Sequence, residues 1–404
     1  MWGHVPEPHT LYAGIRAFKP GTWLKLGQGG HEQTGEFDSV AQMLQGDTPP
    51  AAPYPTLRAA LLDSVRHHLV ADVPVGVFLS SGIDSATLAA LAAECGGTLR
   101  TVTLGFEEYR GTAADETLLA EQVAQQYGSQ HHTVWIGRQE FATAFEQFMH
   151  AMDQPSIDGL NTWLVSKAAA QVGLKVAISG LGGDEIFGGY PSFRQLPQIR
   201  RIAAPFARIP GLGKMLRQLS APLLGRFTSP KYAGLLEYGA TLEGAYLLRR
   251  AMRMPWEVAA PPETAKRSHP APERYPAAQL AGASDFTQIS HLESTRYMRN
   301  QLLRDADWAS MAHSIELRVP LVDVELTRFV SQQRSQGNAL TKQDLAASAR
   351  PALPLALTQR PKTGFTVPVR DWMRPTGQEQ APQAERGLRG WQHTAFNACT
   401  GALA

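Results

Sequence analysis

Apolar residues dominate the chain from Val73 to Leu79, and the run then breaks into Ser80-Ser81-Gly82. A short apolar run closed by small residues predicts a strand buried on both faces, as in a parallel sheet. Asp84 and Ser85 are helix-capping types, and Ala86–Ala93 behind them is rich in Ala and Leu at helical spacing, so a helix should start at once. The same patterning predicts helix Thr56–Leu69, strand Leu99–Phe106, helix Asp115–Tyr127, strand His131–Ile136, helices near Glu140–Met149 and Thr162–Val172, and strand Lys175–Ser179. Strands alternating with helices predict an α/β fold, a parallel sheet with helices on both faces. Ligands of such sheets sit beyond the carboxyl ends of the strands, so Ser80–Ser85, Gly105 and the loop after Ser179 should border one crevice.

Two of those loops carry candidate chemistry. The first joins a strand to a helix N-terminus, whose N–H groups and positive dipole end suit a polyphosphate. The second, Ile178 to Tyr190, holds five glycines in thirteen residues, which predicts a close approach to a ligand or unusual dihedrals. Asp84 and Asp184 fall at the ends of two strands of one sheet, and hard oxygen ligands of this kind can hold Mg²⁺ against phosphates. Beyond Tyr190 the alternation stops, and the chain to about Gln336 reads as helical with Pro and Gly breaks. Between Ile186 and Leu236 stand eight basic residues and no acidic one, a pattern open to two readings: a solvated helical face near an anionic site, or a patch for an acidic lipid surface or partner. After Met373 the polar, Gly- and Gln-containing tail is expected to be weakly ordered.

At 404 residues the chain is long enough for two or three domains with their own cores. A composition 43% hydrophobic and 18% charged is ordinary for a soluble globular protein, and the net charge of +2 argues neither for nor against nucleic acid. Cys95 and Cys399 lie far apart with no metal-ligand spacing, which suggests a reducing, cytoplasmic setting. His131 and His132 are adjacent on a strand and point to opposite faces, so they are not a metal pair. No signal peptide opens the chain, and no apolar run reaches the length of a membrane span.

Ser80-Ser81-Gly82-Ile83-Asp84-Ser85 resembles the SGGxDS loop of ATP-pyrophosphatases, which split ATP between the α- and β-phosphates, with Ser81 in the place of a glycine. It is not the GxxxxGK[ST] loop, since no Lys follows. The loop Ser179–Tyr190 and His313–Asp323, HSIELRVPLVD, follow in the order and approximate spacing of the asparagine synthetases, a family that the chain resembles over roughly residues 53–375. Val5–Thr10 and Lys19–Thr22 resemble the last segment of that family's glutamine-hydrolysing domain. The resemblance implies a remnant of that domain and a linker in 1–52, an ATP-pyrophosphatase core like the adenine nucleotide alpha hydrolases in 53–195, a helical part in 196–375 and a tail in 376–404. The nucleophilic cysteine of the glutaminase is absent after Met1, and Gly27 to Pro55 reads as an exposed connector.

The resemblance also implies ATP and Mg²⁺ as cofactors and a set of site residues. Phe78, Leu104, Ser179 and Gly180 would border the adenine and ribose; Ser80, Ser81, Gly82, Asp84 and Ser85 would cradle the phosphates; Asp115 would lie near the phosphate mouth. Asp84 and Asp184 would hold the metal, and Lys362 in Arg360-Pro-Lys-Thr-Gly-Phe365 would meet charge on the transferring phosphoryl group, unless it is a plain surface lysine in a turn. Leu181, Gly182, Gly183, Glu185, Glu316 and Arg318 match family segments near the substrate, although Glu316, Arg318 and Asp323 could equally orient the fold. The implied reaction adenylates a carboxylate, aspartate or similar, and an amine then displaces AMP. Leu181 departs from the family's Glu, which meets substrate and ammonia, and a leucine can neither take a proton nor pair with an ammonium group. Trp308 stands where relatives often have a basic residue. These departures leave open the amidation of another carboxylate, as in β-lactam synthetases or in peptide or polysaccharide modification. A tRNA-modifying pyrophosphatase or a non-catalytic nucleotide binder is the alternative of another class. Expected partners are a small carboxylate and ammonia or an amine, with room for a separate glutaminase and a homodimer, and no nucleic acid or transmembrane segment.

Overall fold

The computed structural model describes residues 1–227, 229–258, 280, 282–360, 367–368, 372 and 388–401. Its contacts divide the chain into two compact units, Met1–Gln45 with Gly188–Asn300, and Gly46–Phe187 with Gln301–Ala404.

In the first unit, β1 (Thr22–Leu26) and β2 (Glu32–Glu36) form an antiparallel hairpin with Trp23 opposite Gly35. The Trp23 ring lies where a Cβ on residue 35 would sit, within 2.6 Å, so glycine makes that pairing possible. The stretch after Gly27, expected as a plain connector, thus supplies β2 and then the short helix Val40–Gln45. Glu32–Glu36 is polar and exposed on nearly every residue, and a strand with no buried face leaves no period-two signal. Helices Ser192–Ala203, Leu242–Arg250 and Asp285–Leu292 enclose a core of Leu196, Leu242, Tyr246, Leu248 and Ile289. Trp2 completes it, so the N-terminal segment, too short to bury a core alone, buries its side chain among helices some two hundred residues away. Arg250 and Glu293 form a buried pair, 2.8 Å between Nη2 and Oε2, and Ser192 Oγ donates to the other carboxylate oxygen at 2.5 Å.

The second unit is built on a five-stranded parallel sheet of order β5-β4-β3-β6-β7. The strands are β3 (Val75–Phe78), β4 (Arg100–Phe106), β5 (Gln130–Ile136), β6 (Val176–Ile178) and β7 (Glu316–Arg318). The four strands expected from the apolar runs are present, and the parallel α/β class holds. β7 is an addition inside the region expected to be wholly helical. It is three residues long at the sheet edge, Glu-Leu-Arg, too short and too charged to read as a strand, and only its pairing with β6 defines it. With the helices after it, β7 belongs to the unit that takes in the chain from Gln301 onward.

Helices cover both faces. On one, Leu57–Leu69, Ile83–Glu94 and Val324–Ser335 bury Leu61, Leu88, Leu91 and Phe329. On the other, Leu160–Gln171 packs Ala168 and Ala169 against Val102 and Ala177. Beyond the expected weakly ordered tail's start, the chain forms a helix over Leu388–Gly401. Trp391 and Ala395 are buried, with the Trp391 ring 6.0 Å from that of Phe145 and 6.1 Å from Phe148, so an aromatic anchor orders a segment whose composition is polar. Chain growth from β3 runs through β4 to β5 on one side and returns through β6 to β7 on the other. The reversal lies between β3 and β6, where sheets of this class open a crevice at their carboxyl ends.

Candidate active site

The crevice is bordered first by the loop after β3. The helix begins at Ile83 with Gly82 at its N-cap, two to three residues earlier than the side-chain types suggest, so Asp84 and Ser85 lie in the first turn rather than capping it. Ser85 Oγ accepts from Ser80 N at 3.1 Å and lies 2.9 Å from Ser80 Oγ, while Gly82 N donates to Ser80 Oγ at 3.2 Å. The hydroxyls therefore close the loop on itself and hold its backbone in place. Ser81 is buried and accepts from Arg360 Nη1 at 2.9 Å, and Arg360 Nη2 donates to Ala113 O at 3.0 Å. A glycine at 81 could not make that bond, which accounts physically for serine in a glycine position. Asp115 belongs to the turn that Arg360 grips. It accepts from Gly111 N and Thr117 N, each at 2.9 Å, and from Thr117 Oγ1 at 2.6 Å. Burial works against the Asp115 charge, but these bonds prevail and hold its carboxyl below the usual range.

The second border is the loop after β6. A Cβ on Gly180 would lie 2.9 Å from Asp84 Cβ, and one on Gly183 2.7 Å from Asp84 Oδ1. Gly182 has φ +95°, and a Cβ there would meet Val322 at 2.5 Å. The glycines expected to admit a ligand thus admit the neighbouring loop, and their packing brings Asp184 beside Asp84.

Between the two carboxylates stands Lys342. Its Nζ is 2.9 Å from Asp184 Oδ1 and hydrogen-bonded to Asp84 Oδ1, and its side chain is 18% exposed. Burial opposes the lysine charge, but Asp84 and Asp184 outweigh it and raise the pKa above the ordinary lysine value. Lys342 opens helix Lys342–Ala347 behind the capping residue Thr341. The sequence reading missed it. One signal was available: a lysine in the first turn of a helix runs against the helix dipole and calls for a local anion.

The remaining expected residues divide. Leu104 is buried in β4, Phe78 packs beside Val102 and Ala168, and Ser179 N donates to Arg318 O at 2.8 Å. Leu181 is half-buried, whereas Glu185 is fully buried and offers no surface to a diffusing substrate. Arg318 pairs with Glu316 at 2.7 Å and donates to the carbonyls of His68 and Val70 at 2.8 and 2.7 Å. These carbonyls lie at the end of the helix that precedes β3, so Arg318 ties β7 to that helix. Asp323 accepts from Leu326 N at 2.9 Å and caps helix Val324–Ser335. Lys362 lies outside the described residues. Trp308 Nε1 donates to Asp305 Oδ1 at 3.0 Å, and Ser156 Oγ donates to Asp305 Oδ2 at 2.5 Å. Burial, helped by the neighbouring Asp158, pushes the Asp305 carboxyl up to about 8.

Among the described residues no group of three or more His, Cys, Asp or Glu could hold a metal ion. Asp84 and Asp184 nevertheless converge on one cation, the Lys342 ammonium. Two convergent carboxylates suit Mg²⁺, which commonly takes one or two carboxylates and completes its shell with water and phosphate.

The asparagine synthase family model matches residues 56–391. A Mycobacterium tuberculosis protein provisionally named a glutamine-hydrolysing asparagine synthetase is 32% identical over 402 residues, covering 92% of this chain and 57% of its own length. The glutamine-hydrolysing asparagine synthetase 1 of Bacillus subtilis is 30% identical over 383 residues, covering 92% and 58%. Amidase chyE of Penicillium rubens is 34% identical over 154 residues, 34% of this chain and 23% of its own length. The chain thus spans a little over half the length of the first two relatives.

Proposed function

The chain belongs to the asparagine synthase family, and from that premise we propose that it carries the synthetase half of an ATP-dependent, AMP-forming amide ligase. A carboxylate oxygen of the substrate attacks the α-phosphorus of ATP, forming an acyl-adenylate and releasing pyrophosphate. Ammonia or an amine then attacks the acyl carbon, AMP leaves, and the nitrogen gives up a proton.

The observation that carries this reading is the meeting of Asp84, Asp184 and Lys342 at the carboxyl ends of β3 and β6. The N-terminal turn of helix Ile83–Glu94 presents backbone N–H groups to a pyrophosphate, and the Ser80–Ser85 bonds keep that turn rigid. Lys342, kept charged by its two carboxylates, stabilises negative charge on the phosphates. Asp84 and Asp184 would hold Mg²⁺, which when bound neutralises further phosphate charge. Arg360 positions the loop through Ser81, and the resemblance assigns Lys362 to the transferring phosphoryl group.

Leu181 favours a second reading, that the carboxylate is not aspartate, because no acid stands there to meet an α-ammonium group or the incoming nitrogen. A relative named an amidase is in keeping with varied substrates in this family. The experiment is carboxylate-dependent exchange of labelled pyrophosphate into ATP, run over a panel of amino acids and other carboxylates, with Asp84→Asn as control. Exchange that Asp84→Asn abolishes supports the ligase. Exchange with another carboxylate but not aspartate selects the second reading, and exchange surviving in Asp84→Asn removes that aspartate from the reaction.

A further inference from the structure

In the unit formed by Met1–Gln45 and Gly188–Asn300, the basic stretch is more than a solvated face. Helix Leu212–Phe227 exposes Met215, Leu219 and Leu223, which recur every fourth residue and so share one side. Leu219 is 72% exposed and Leu223 59%. The helix's other side faces inward: Gly213 lies so close to Glu237 that a Cβ would meet its Cα at 2.7 Å, and Arg217 pairs with Glu237. The turn Phe206–Arg208 packs against the same helix and adds Phe206 and Arg208, while Ile202 and Ile209, on either side of it, are 58% and 57% exposed. Arg201, Arg208 and Lys214 are exposed too, each next in the chain to one of the exposed apolar residues Ile202, Ile209 and Met215.

A purely solvated surface would place polar groups outward; here large apolar groups are outermost, with cations beside them. A second copy meeting the same face would bring cation against cation, since no acidic residue occurs from Ile186 to Leu236 to answer them. A partner that is anionic at its surface and apolar just beneath matches both features.

We propose that the face spanning residues 201–223 docks on the surface of an anionic phospholipid bilayer. Its apolar side chains enter the headgroup boundary, and Arg201, Arg208 and Lys214 meet lipid phosphates, the arrangement of an interfacial amphipathic helix. No described helix is long and apolar enough to cross a membrane, so the contact is peripheral. The proposal does not rest on the ligase reading.

The test is flotation of the full chain with vesicles of phosphatidylcholine alone and of phosphatidylcholine with phosphatidylglycerol. Binding is expected to the anionic vesicles only, and to weaken with salt. A basic residue near such a surface is worth roughly a fivefold gain in partitioning. The triple variant Arg201→Gln/Arg208→Gln/Lys214→Gln should therefore bind on the order of a hundredfold less. Met215→Ser/Leu219→Ser/Leu223→Ser should also lose binding, while both variants keep the parent's circular dichroism because the positions are exposed. Absence of binding, equal binding to both vesicles, or binding unchanged in both variants overturns the proposal. So does concentration-dependent dimerisation that Leu219→Asp abolishes without any vesicle binding, which would make the face a self-contact.

Discussion

Asp84 and Asp184 both contact the Lys342 ammonium, so one cation answers two carboxylates. Replacing Lys342 by Met leaves two half-buried carboxylates with no cation between them, a loss expected to cost on the order of 1–2 kcal/mol of stability. The sign with pH follows from the raised lysine pKa: the stabilisation is complete below the ordinary lysine value near 10.4 and is lost only as pH climbs through the higher folded value. The loss in Lys342→Met should therefore be constant across neutral pH. In the parent the ammonium competes with a metal for the same oxygens, so Mg²⁺ should raise the melting temperature of Lys342→Met more than that of the parent. Thermal melts with and without Mg²⁺ measure this, and equal shifts in both proteins would separate the metal from these carboxylates.

The loop that leads into helix Leu160–Gln171 is fastened to helix Arg304–Met311 by Asp305. Ser156 holds one oxygen and Trp308 the other, and Trp308 lies so close to Gly159, φ +88°, that a Cβ there would meet its ring at 2.6 Å. Trp308 is thus part of this fastening, and the acid that it holds, Asp305, is the perturbed one. With the folded carboxyl at about 8, the native state binds more protons than the unfolded chain between about pH 4 and 8, so stability falls as pH rises through that window. Asp305→Asn removes the titration while keeping an acceptor for Trp308. Urea denaturation of both proteins at pH 5 and pH 8 should show a smaller drop for the variant, by up to about 1.4 kcal/mol per pH unit. An identical drop would mean that Asp305 is ionised throughout.

For the whole chain the question is the source of nitrogen. Burial pushes the thiols of both Cys95 and Cys399 up, which leaves each a poor nucleophile at neutral pH and an unsuitable opener of glutamine. The protein of these 404 residues is expected to form amide with ammonium and to ignore glutamine, with product rising as pH frees ammonia. Chromatography of the amide and AMP formed with either nitrogen source decides it. Glutamine-driven product from the purified chain would show that it holds a nucleophile able to open glutamine and would overturn this expectation.

Strands β3 to β6, their helices and the two glycine-bearing loops were legible in the sequence, because hydrophobic periodicity and turn chemistry act between near neighbours. The parallel class and the crevice followed from their alternation, and the family from three motifs in order. What tertiary structure alone decided lies at long range. β7 exists as a strand only through β6, and Trp2 is a core residue only because distant helices receive it. Lys342 reaches Asp84 across 258 residues of chain, and Arg360 reaches Ser81 across 279. No local pattern records such meetings, since they depend on which strands pair and how the helices pack over them. Glu316, Arg318 and Glu185 show the converse: a motif marks them without recording the partners and burial that the fold gives them, an ion pair for the first two and full burial for the third.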